Sequence, residues 1–274
     1  MPCVSIIVSC HNFADYLGEA LDSILAQSFQ DWECIVVDDG SSDGSASIAE
    51  AYSTKDKRIR VIVQKNGGVC IARNNGVAAS SGQLLLFLDG DDQIMPDFLS
   101  MAVPIIQTRP EVKLVYGPAI QFGQGIKTSV LPLPEFSMDT MVGQNCIYIT
   151  ALFRRSDFDR VGGFRREMNA GLEDWDFWLS VLEDGGKVFA MEKPVFRYRF
   201  RNGSRNRVIS DESLAYLRRQ VWERHKPLYS QYFFDLRDSV EYKRLQYYVR
   251  KYSSFPTVRL YLIITSFFRR FFHV

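Results

Sequence analysis

The chain has 274 residues, 46% of them hydrophobic and 24% charged, which describes a globular protein with room for one large domain or two fused halves. That composition excludes collagen-like, disordered and disulfide-framework classes. Thirty-three basic side chains against 32 acidic ones leave a formal charge of +1, too small to signal a nucleic-acid partner.

In chain order, Val4-Ser5-Ile6-Ile7-Val8 predicts a first strand. Nothing before it reads as a basic n-region or a cleavage site, so no signal peptide is expected and the predicted location is cytoplasmic. Leu17, Leu21, Ile24 and Leu25 recur at helical spacing, and residues 34–37 form a second β-branched run. The unit repeats through residues 59–63, 72–79 and 84–88. Such alternation predicts an α/β fold with a doubly wound sheet and helices on both faces. Beyond residue 100 the pattern loosens into a mixed α+β half, with short strands near 112–116 and 147–153, a helix after Glu173, and a strand over 188–198. Residues 210–272 read as helical throughout. The predicted divisions are 1–100, 101–205 and 206–274.

The near-zero charge conceals a split. Residues 1–205 hold 20 basic and 26 acidic side chains, a net −6; the remaining residues hold 13 and 6, a net +7. Residues 242–274 carry seven basic and no acidic side chains among many Tyr and Phe. Aromatic residues mixed with Lys and Arg suit a helix lying on an anionic membrane surface, and equally a helical subdomain packed on the core or on a second copy of the chain in a homo-oligomer. The longest apolar run, residues 260–268, is well under the roughly 20 residues a spanning helix requires. Five dispersed cysteines, with no C-x-x-C pair, fit buried thiols in a reducing compartment.

In an open sheet of this kind the ligand crevice lies beyond the carboxyl ends of the strands, and here those ends are polar. Ser9-Cys10-His11-Asn12 follows the first strand, Asp38-Asp39-Gly40-Ser41-Ser42-Asp43 the second and Asp89-Gly90-Asp91-Asp92 the fourth. Carboxylates one residue apart on a turn suit a hard cation such as Mg²⁺ or Mn²⁺, with a diphosphate filling other positions; the alternative is a helix cap or a solvated turn. Ser42 or Asp43 reads as an N-cap for a helix from about residue 45, which leaves Asp38 and Asp39 unexplained. No G-x-G-x-x-G follows the first strand and no Walker phosphate loop occurs, which disfavours dehydrogenases, kinases and ATPases. Arg73, in the first turns of a helix after Gly67-Gly68, suits a phosphate contact or an ion pair. Glu173-Asp174-Trp175-Asp176 opens another helix. Its acids complement the helix dipole or supply a general base, and Trp175 and Trp178 suit a carbohydrate or lipid-linked acceptor platform, with the core as the alternative for Trp178.

Taken in order, V-S-I-I-V-S-C-H-N, V-V-D-D-G-S-S-D, N-G-G-V-C-I-A-R-N-N-G, F-L-D-G-D-D and G-L-E-D-W-D-F-W resemble the successive motifs of the family-2 inverting glycosyltransferases of GT-A fold, from residue 3 to about 185. The resemblance implies a nucleotide-sugar donor, most often a UDP-sugar, and Mn²⁺ or Mg²⁺. It places Ser9, His11 and Asp39 in the nucleotide pocket, Asp39 facing the base, with Arg73 near the nucleotide or its phosphates. Asp89 and Asp91 become the D-x-D acids, Asp91 the direct metal ligand and Asp89 shared with the nucleotide. Asp174 becomes the catalytic base, oriented by Glu173. His11 departs from the Tyr of many relatives, which loosens the inferred base contacts. The Tyr198-Arg199-Phe200-Arg201 run is similar to one the family places after its catalytic half, so Arg199 or Arg201 is expected to hold diphosphate. Residues 1–100 are then the donor half, 101–205 the acceptor and catalytic half, and 206–274 an extension. The implied role is in bacterial O-antigen, capsule or exopolysaccharide assembly at the inner face of the membrane, on a glycan or lipid-linked acceptor. A non-catalytic nucleotide-sugar or glycan binder of the same fold is the alternative; a nucleotidyltransferase would need a basic Gly-rich loop after the first strand.

Overall fold

A computed structural model describes residues 1–131, 134–201 and 209–232, with Tyr247 and Lys251. The expectations placed on residues 233–274 otherwise lie outside the described residues.

The N-terminal half follows the predicted alternation. β1 (Val4–Cys10), α1 (Ala14–Leu25), β2 (Trp32–Asp38), α2 (Ser45–Lys55), β3 (Ile59–Val63), α3 (Val69–Ala78) and β4 (Leu84–Asp89) come in order. β1 pairs in parallel with both β2 and β4, and β2 with β3. β1, β2 and nearly all of β4 are buried, as their continuous apolar runs require of strands covered on both faces. Period-two alternation then assigns the faces. Ile6, Val8, Val36 and Leu86 meet α1 residues such as Leu17 and Leu21, whereas Ile7, Val37 and Phe87 face α3 and the later helices. α3 lies so close to β1 that a Cβ on Gly76 would sit 2.4 Å from Ile7 Cγ2, which is why a glycine stands inside that helix.

The rest of the sheet is mixed. The seven-stranded order is β10-β6-β9-β4-β1-β2-β3, in which β9 (Leu152–Arg154) runs antiparallel to both β4 and β6 (Val112–Tyr116), and β10 (Lys187–Ala190) is parallel to β6. β5 (Gln93–Ile94), β7 (Ala119–Gly123), β8 (Ser129–Leu131) and β11 (Phe196–Phe200) make a second, four-stranded sheet. The single strand expected over residues 188–198 is therefore two, in different sheets. Pro194 falls between them, and a residue without an N–H cannot continue a ladder. The strand expected over 147–153 shrinks to its last residues, because Ile147 and Ala151 direct their N–H groups to Asn145 Oδ1 and Ile149 O in local turns.

α4 (Phe98–Thr108), α5 (Met138–Gly143), α6 (Arg155–Val161) and α7 (Glu173–Leu182) complete the body. Phe87 of β4 anchors the later helices. Its ring touches those of Phe153, Phe158, Phe164 and Phe177, with Trp178 packed edge-on against Phe153. α8 (Asp211–Arg224) and α9 (Lys226–Tyr232) follow, so the expected helical extension begins as two helices broken at His225. That histidine is fully buried, and its Nε2 lies 3.1 Å from Asp176 Oδ1, tying the break to α7.

Candidate functional site

The ends of β1, β2 and β4 meet at one edge of the sheet. Asp89, the last residue of β4, accepts from Ser9 Oγ at 2.9 Å and from Arg73 Nη2 at 2.8 Å. The following turn closes through Gly90 N donating to Ser9 O and Asp92 N to Asp89 O, both at 2.9 Å. Asp91 accepts from Arg201 Nε, and Asp92 Oδ1 from the Arg199 backbone N–H at 2.7 Å. Neither acid caps a helix. Burial, then repulsion from Asp89, raises the Asp91 carboxyl above its usual range; burial, Asp91 and Asp89 raise Asp92 further. Three carboxylates thus crowd one turn, and Arg199 of β11 and Arg201 just after it offset them.

At the end of β2 a left-handed Gly40 turns the chain; the N-cap of α2 is Gly44 and not Ser42 or Asp43 as expected, although Asp43 Oδ1, one residue earlier, accepts from Ser45 N at 2.9 Å. Asp39 is 3% exposed. Its oxygens accept from Gln64 Nε2 at 2.7 Å and from the Gly67 and Gly68 N–H groups at 2.8 Å, so it shapes the loop before α3. The same loop is gripped from the far side by Asn169, which donates to Gly67 O and accepts from Cys70 N, both at 2.9 Å. A Cβ at Gly68, where φ is +89°, would collide with Asn169 at 2.6 Å. His11 Nδ1 lies 2.9 Å from Asp39 O. A carbonyl can only accept, so a hydrogen bond here needs the proton on Nδ1. Cys10 lies beside them, but burial pushes its thiol up to about 11 and leaves it a neutral lining group.

Of the two readings for Arg73, the structure shows the ion pair. Arg73 is 1% exposed, and besides Asp89 it binds Glu173 Oε1 through Nη1 at 3.0 Å, with its guanidinium 5.3 Å from the Phe164 ring centroid. A guanidinium buried between two carboxylates is not available to phosphates; Arg73 instead bridges the end of β4 to α7. Although burial opposes its charge, Asp89, Glu173 and Asp174 together raise its pKa.

α7 starts from strained backbone: Gly171 has φ +147° and Leu172 sits at +57°. That turn spreads the acids of the first helical turn in three directions. Glu173 goes to Arg73, Asp176 to Arg165 and His225, and Asp174 to a cavity, its Oδ1 also accepting from Trp175 N at 2.8 Å. Trp175 is 5% exposed with its Nε1 bound to Met141 O at 2.6 Å, and Trp178 is wholly buried. The acceptor-platform expectation for Trp175 therefore fails, because both indoles belong to the core. Arg199 is also fixed. Its Nε donates to Asp91 O at 2.7 Å and its Nη2 to Glu19 at 2.6 Å, between the rings of Tyr16 and Phe122. Arg201, one residue past β11, lines a cavity.

Two cavities meet here. One, of about 540 Å³, is lined by Ser9, His11, Asp39, Gly68, Asp91 and Arg201, among others. The second, of about 270 Å³, is lined by Asp174, Glu173, Asn145, Tyr148 and Phe196, among others. Asp89, Asp92 and Tyr198 border both. Burial and the neighbouring carboxylates push the Tyr198 hydroxyl up to about 12, so it is a donor and not a base. Gln64, Asn169 and Tyr148 have no signal in the sequence; Asn169 reaches its partners across about 100 residues.

The arrangement has relatives. Residues 5–162 match the family model described as glycosyl transferase family 2. A putative teichuronic acid biosynthesis glycosyltransferase of Bacillus subtilis, TuaG, is 30% identical over 205 residues, 74% of this chain and 81% of that protein. The uncharacterized glycosyltransferase EpsJ of the same organism is 32% identical over 73% of this chain, which spans 61% of the EpsJ length. Among solved structures, S. aureus TarS 1-349 in complex with UDP-GlcNAc superposes with a TM-score of 0.68 at 19% identity, over 92% of this chain and 73% of that one. Mannosyltransferase PcManGT from Pyrobaculum calidifontis, in complex with GDP-Man and Mn²⁺, superposes at 0.63 and 17% identity, over 97% and 80%. The fold is GT-A, and the chain belongs to glycosyl transferase family 2.

Proposed function

We propose that this glycosyltransferase moves a sugar from a nucleotide-sugar, foremost a UDP-sugar, to an acceptor hydroxyl with inversion at the anomeric carbon. The observation that carries the reading is the pair of cavities sharing one wall, with Asp91 on the larger and Asp174 on the smaller. The larger takes the donor, its base end beside Ser9, His11 and Asp39 and its diphosphate end beside Asp91 and Arg201. The smaller takes the acceptor.

The crowded turn fits a hard divalent cation: Asp89 and Asp91 offer carboxylate oxygens whose mutual repulsion an added cation would relieve. Among the described residues no group of three or more His, Cys, Asp or Glu side chains is placed to hold a metal, so donor oxygens would share the coordination. Bound there, Mn²⁺ or Mg²⁺ supplies neutralisation of the charge that develops on the leaving diphosphate. The remaining work belongs to the chain. Asp174 takes the proton of the acceptor hydroxyl, and that oxygen attacks the anomeric carbon opposite the nucleotide. Glu173, fixed by Arg73, sets the start of α7 and so aims Asp174. Tyr198 closes the wall between the two ligands.

TuaG, a putative teichuronic acid enzyme, supports bacterial surface-polysaccharide assembly as the setting, with a glycan or lipid-linked acceptor. In that setting residues 242–274 act as a basic, aromatic contact with the inner face of an anionic membrane; among the described residues no helix is long and apolar enough to cross one. The test is nucleotide release from a panel of UDP- and GDP-sugars, with and without Mn²⁺, on a polyprenyl-diphosphate-linked acceptor. The account expects one donor to turn over in the presence of metal. Donor binding with no turnover on any acceptor would favour a non-catalytic binder.

A further inference from the structure

The helical extension bears directly on the turn that carries Asp174, and it does so at two points. The first is Gly171, where a Cβ would lie 2.7 Å from Ile209 Cδ1 and 3.6 Å from Leu217 Cδ1. Ile209, just before α8, and the buried Leu217 on it therefore close over the strained backbone from which α7 starts. The second is Asp176, whose Oδ1 lies 3.1 Å from His225 Nε2. Asp176 is held as a carboxylate by His225 and Arg165 and can only accept, so this hydrogen bond needs the proton on Nε2. Asp174 stands between the two points, after Gly171 and before Asp176 in the same turn. For packing alone, His225 is a poor choice. Its Nδ1 is buried with no hydrogen-bond partner among the described residues, which destabilises relative to an apolar side chain of similar size. Its backbone joins both helices, the N–H donating to Val221 O and the carbonyl accepting from Tyr229 N, each at 3.1 Å. One polar side chain thus fastens the break between α8 and α9 to the turn of the proposed base.

We infer that His225 is a positioning residue for transfer, and that through it and Ile209 the extension sets the angle at which Asp174 enters the acceptor cavity. The inference rests on the reading of Asp174 as the base and goes beyond it. A base must stand within hydrogen-bond reach of the hydroxyl it deprotonates, and a displacement of about 1 Å costs up to about a hundredfold in rate. Donor affinity depends on the larger cavity, whose lining among the described residues includes neither His225 nor Ile209. Loosening either contact therefore falls on kcat and spares donor binding.

The test uses the full chain with the donor and acceptor that turn over in the panel, and titration calorimetry with UDP to count folded sites. His225→Leu should lower kcat per folded site by about tenfold to a hundredfold, with the donor KM and UDP affinity within about twofold of wild type. His225→Gln, whose amide N–H can replace that of Nε2, should restore kcat to within about threefold. Ile209→Ala trims the other contact at a half-buried position and should lower kcat by about threefold. Ile106→Ala is the control for lost stability. Ile106 is buried at the far edge of the sheet, where its carbonyl meets Arg154 beside the start of β4, and its removal should leave kcat per folded site unchanged. If His225→Leu does not fold, the kcat of Ile209→Ala decides. His225→Gln as slow as His225→Leu would assign the effect to shape and overturn the inference. If His225→Leu and Ile209→Ala both keep wild-type kcat while Asp174→Asn is inactive, the positioning role is overturned and the base reading survives. Normal turnover by Asp174→Asn would overturn both.

Discussion

Asp89-Gly90-Asp91-Asp92 and Glu173-Asp174-Trp175-Asp176 look alike in sequence, three acids within four residues, yet they are built on opposite principles. The turn after β4 stacks its carboxylates on one edge of the sheet, where burial and mutual repulsion raise Asp91 and Asp92. The first turn of α7 fans its acids apart, and Asp176 is driven the other way. Burial would raise it, but hydrogen bonds from His225 and Arg165 win and leave its carboxyl below the usual range. In the first segment arginines offset the crowded carboxylates without bringing Asp91 and Asp92 back to the usual range. The second is satisfied by the protein at both flanks, which holds Asp174 in place between them. Acid density by itself therefore does not mark a cation site; what decides is whether the backbone brings the carboxylates together or spreads them.

That contrast can be broken at several points. The largest effect is expected at Asp174→Asn, which should lower transfer by about 10²–10⁴-fold while leaving donor affinity nearly unchanged in titration calorimetry. Near-wild-type turnover would remove Asp174 from the role of base. Arg73→Met should cost about 3–5 kcal/mol in urea unfolding, because it strands the buried Glu173 carboxylate beside Asp89. A loss under 1 kcal/mol would mean that the two segments are not coupled through Arg73.

Smaller effects separate the segments by sign. Asp176→Asn should cost about 1–3 kcal/mol at pH 7. The stability that Asp176 contributes is complete above the usual carboxylate range and is lost as pH falls through its lowered pKa, so wild type and mutant should converge in acid. Asp92→Asn should do the reverse. It keeps an acceptor for the Arg199 N–H and removes a repelled charge, so it should stabilise at pH 7 by on the order of 1 kcal/mol. That gain should fade as pH falls through the raised pKa of Asp92, well above where the Asp176 effect ends. Parallel curves for the two variants across pH would contradict the contrast.

The donor edge was legible because its parts are local. A strand followed by a polar turn places Ser9, Asp39 and Asp89 on one edge through periodicity alone, and the five motifs in order carried the family. Pairings across about 100 residues were not legible. Arg73 looked like a phosphate ligand because nothing near it in sequence announces Glu173, and Trp175 looked like a platform because its partner, Met141 O, is 34 residues away. The grip of Asn169 on the Gly67–Gly68 loop is invisible for the same reason. Pro194 was a readable signal that the expected strand over 188–198 had to break.

The central claim is that one wall separates donor from acceptor and that a single displacement crosses it. The most direct test is the anomeric configuration of the newly formed linkage, read by proton NMR on product made with the donor that the panel selects. The account predicts inversion, a β-linkage from an α-linked sugar nucleotide. Retained configuration would contradict it.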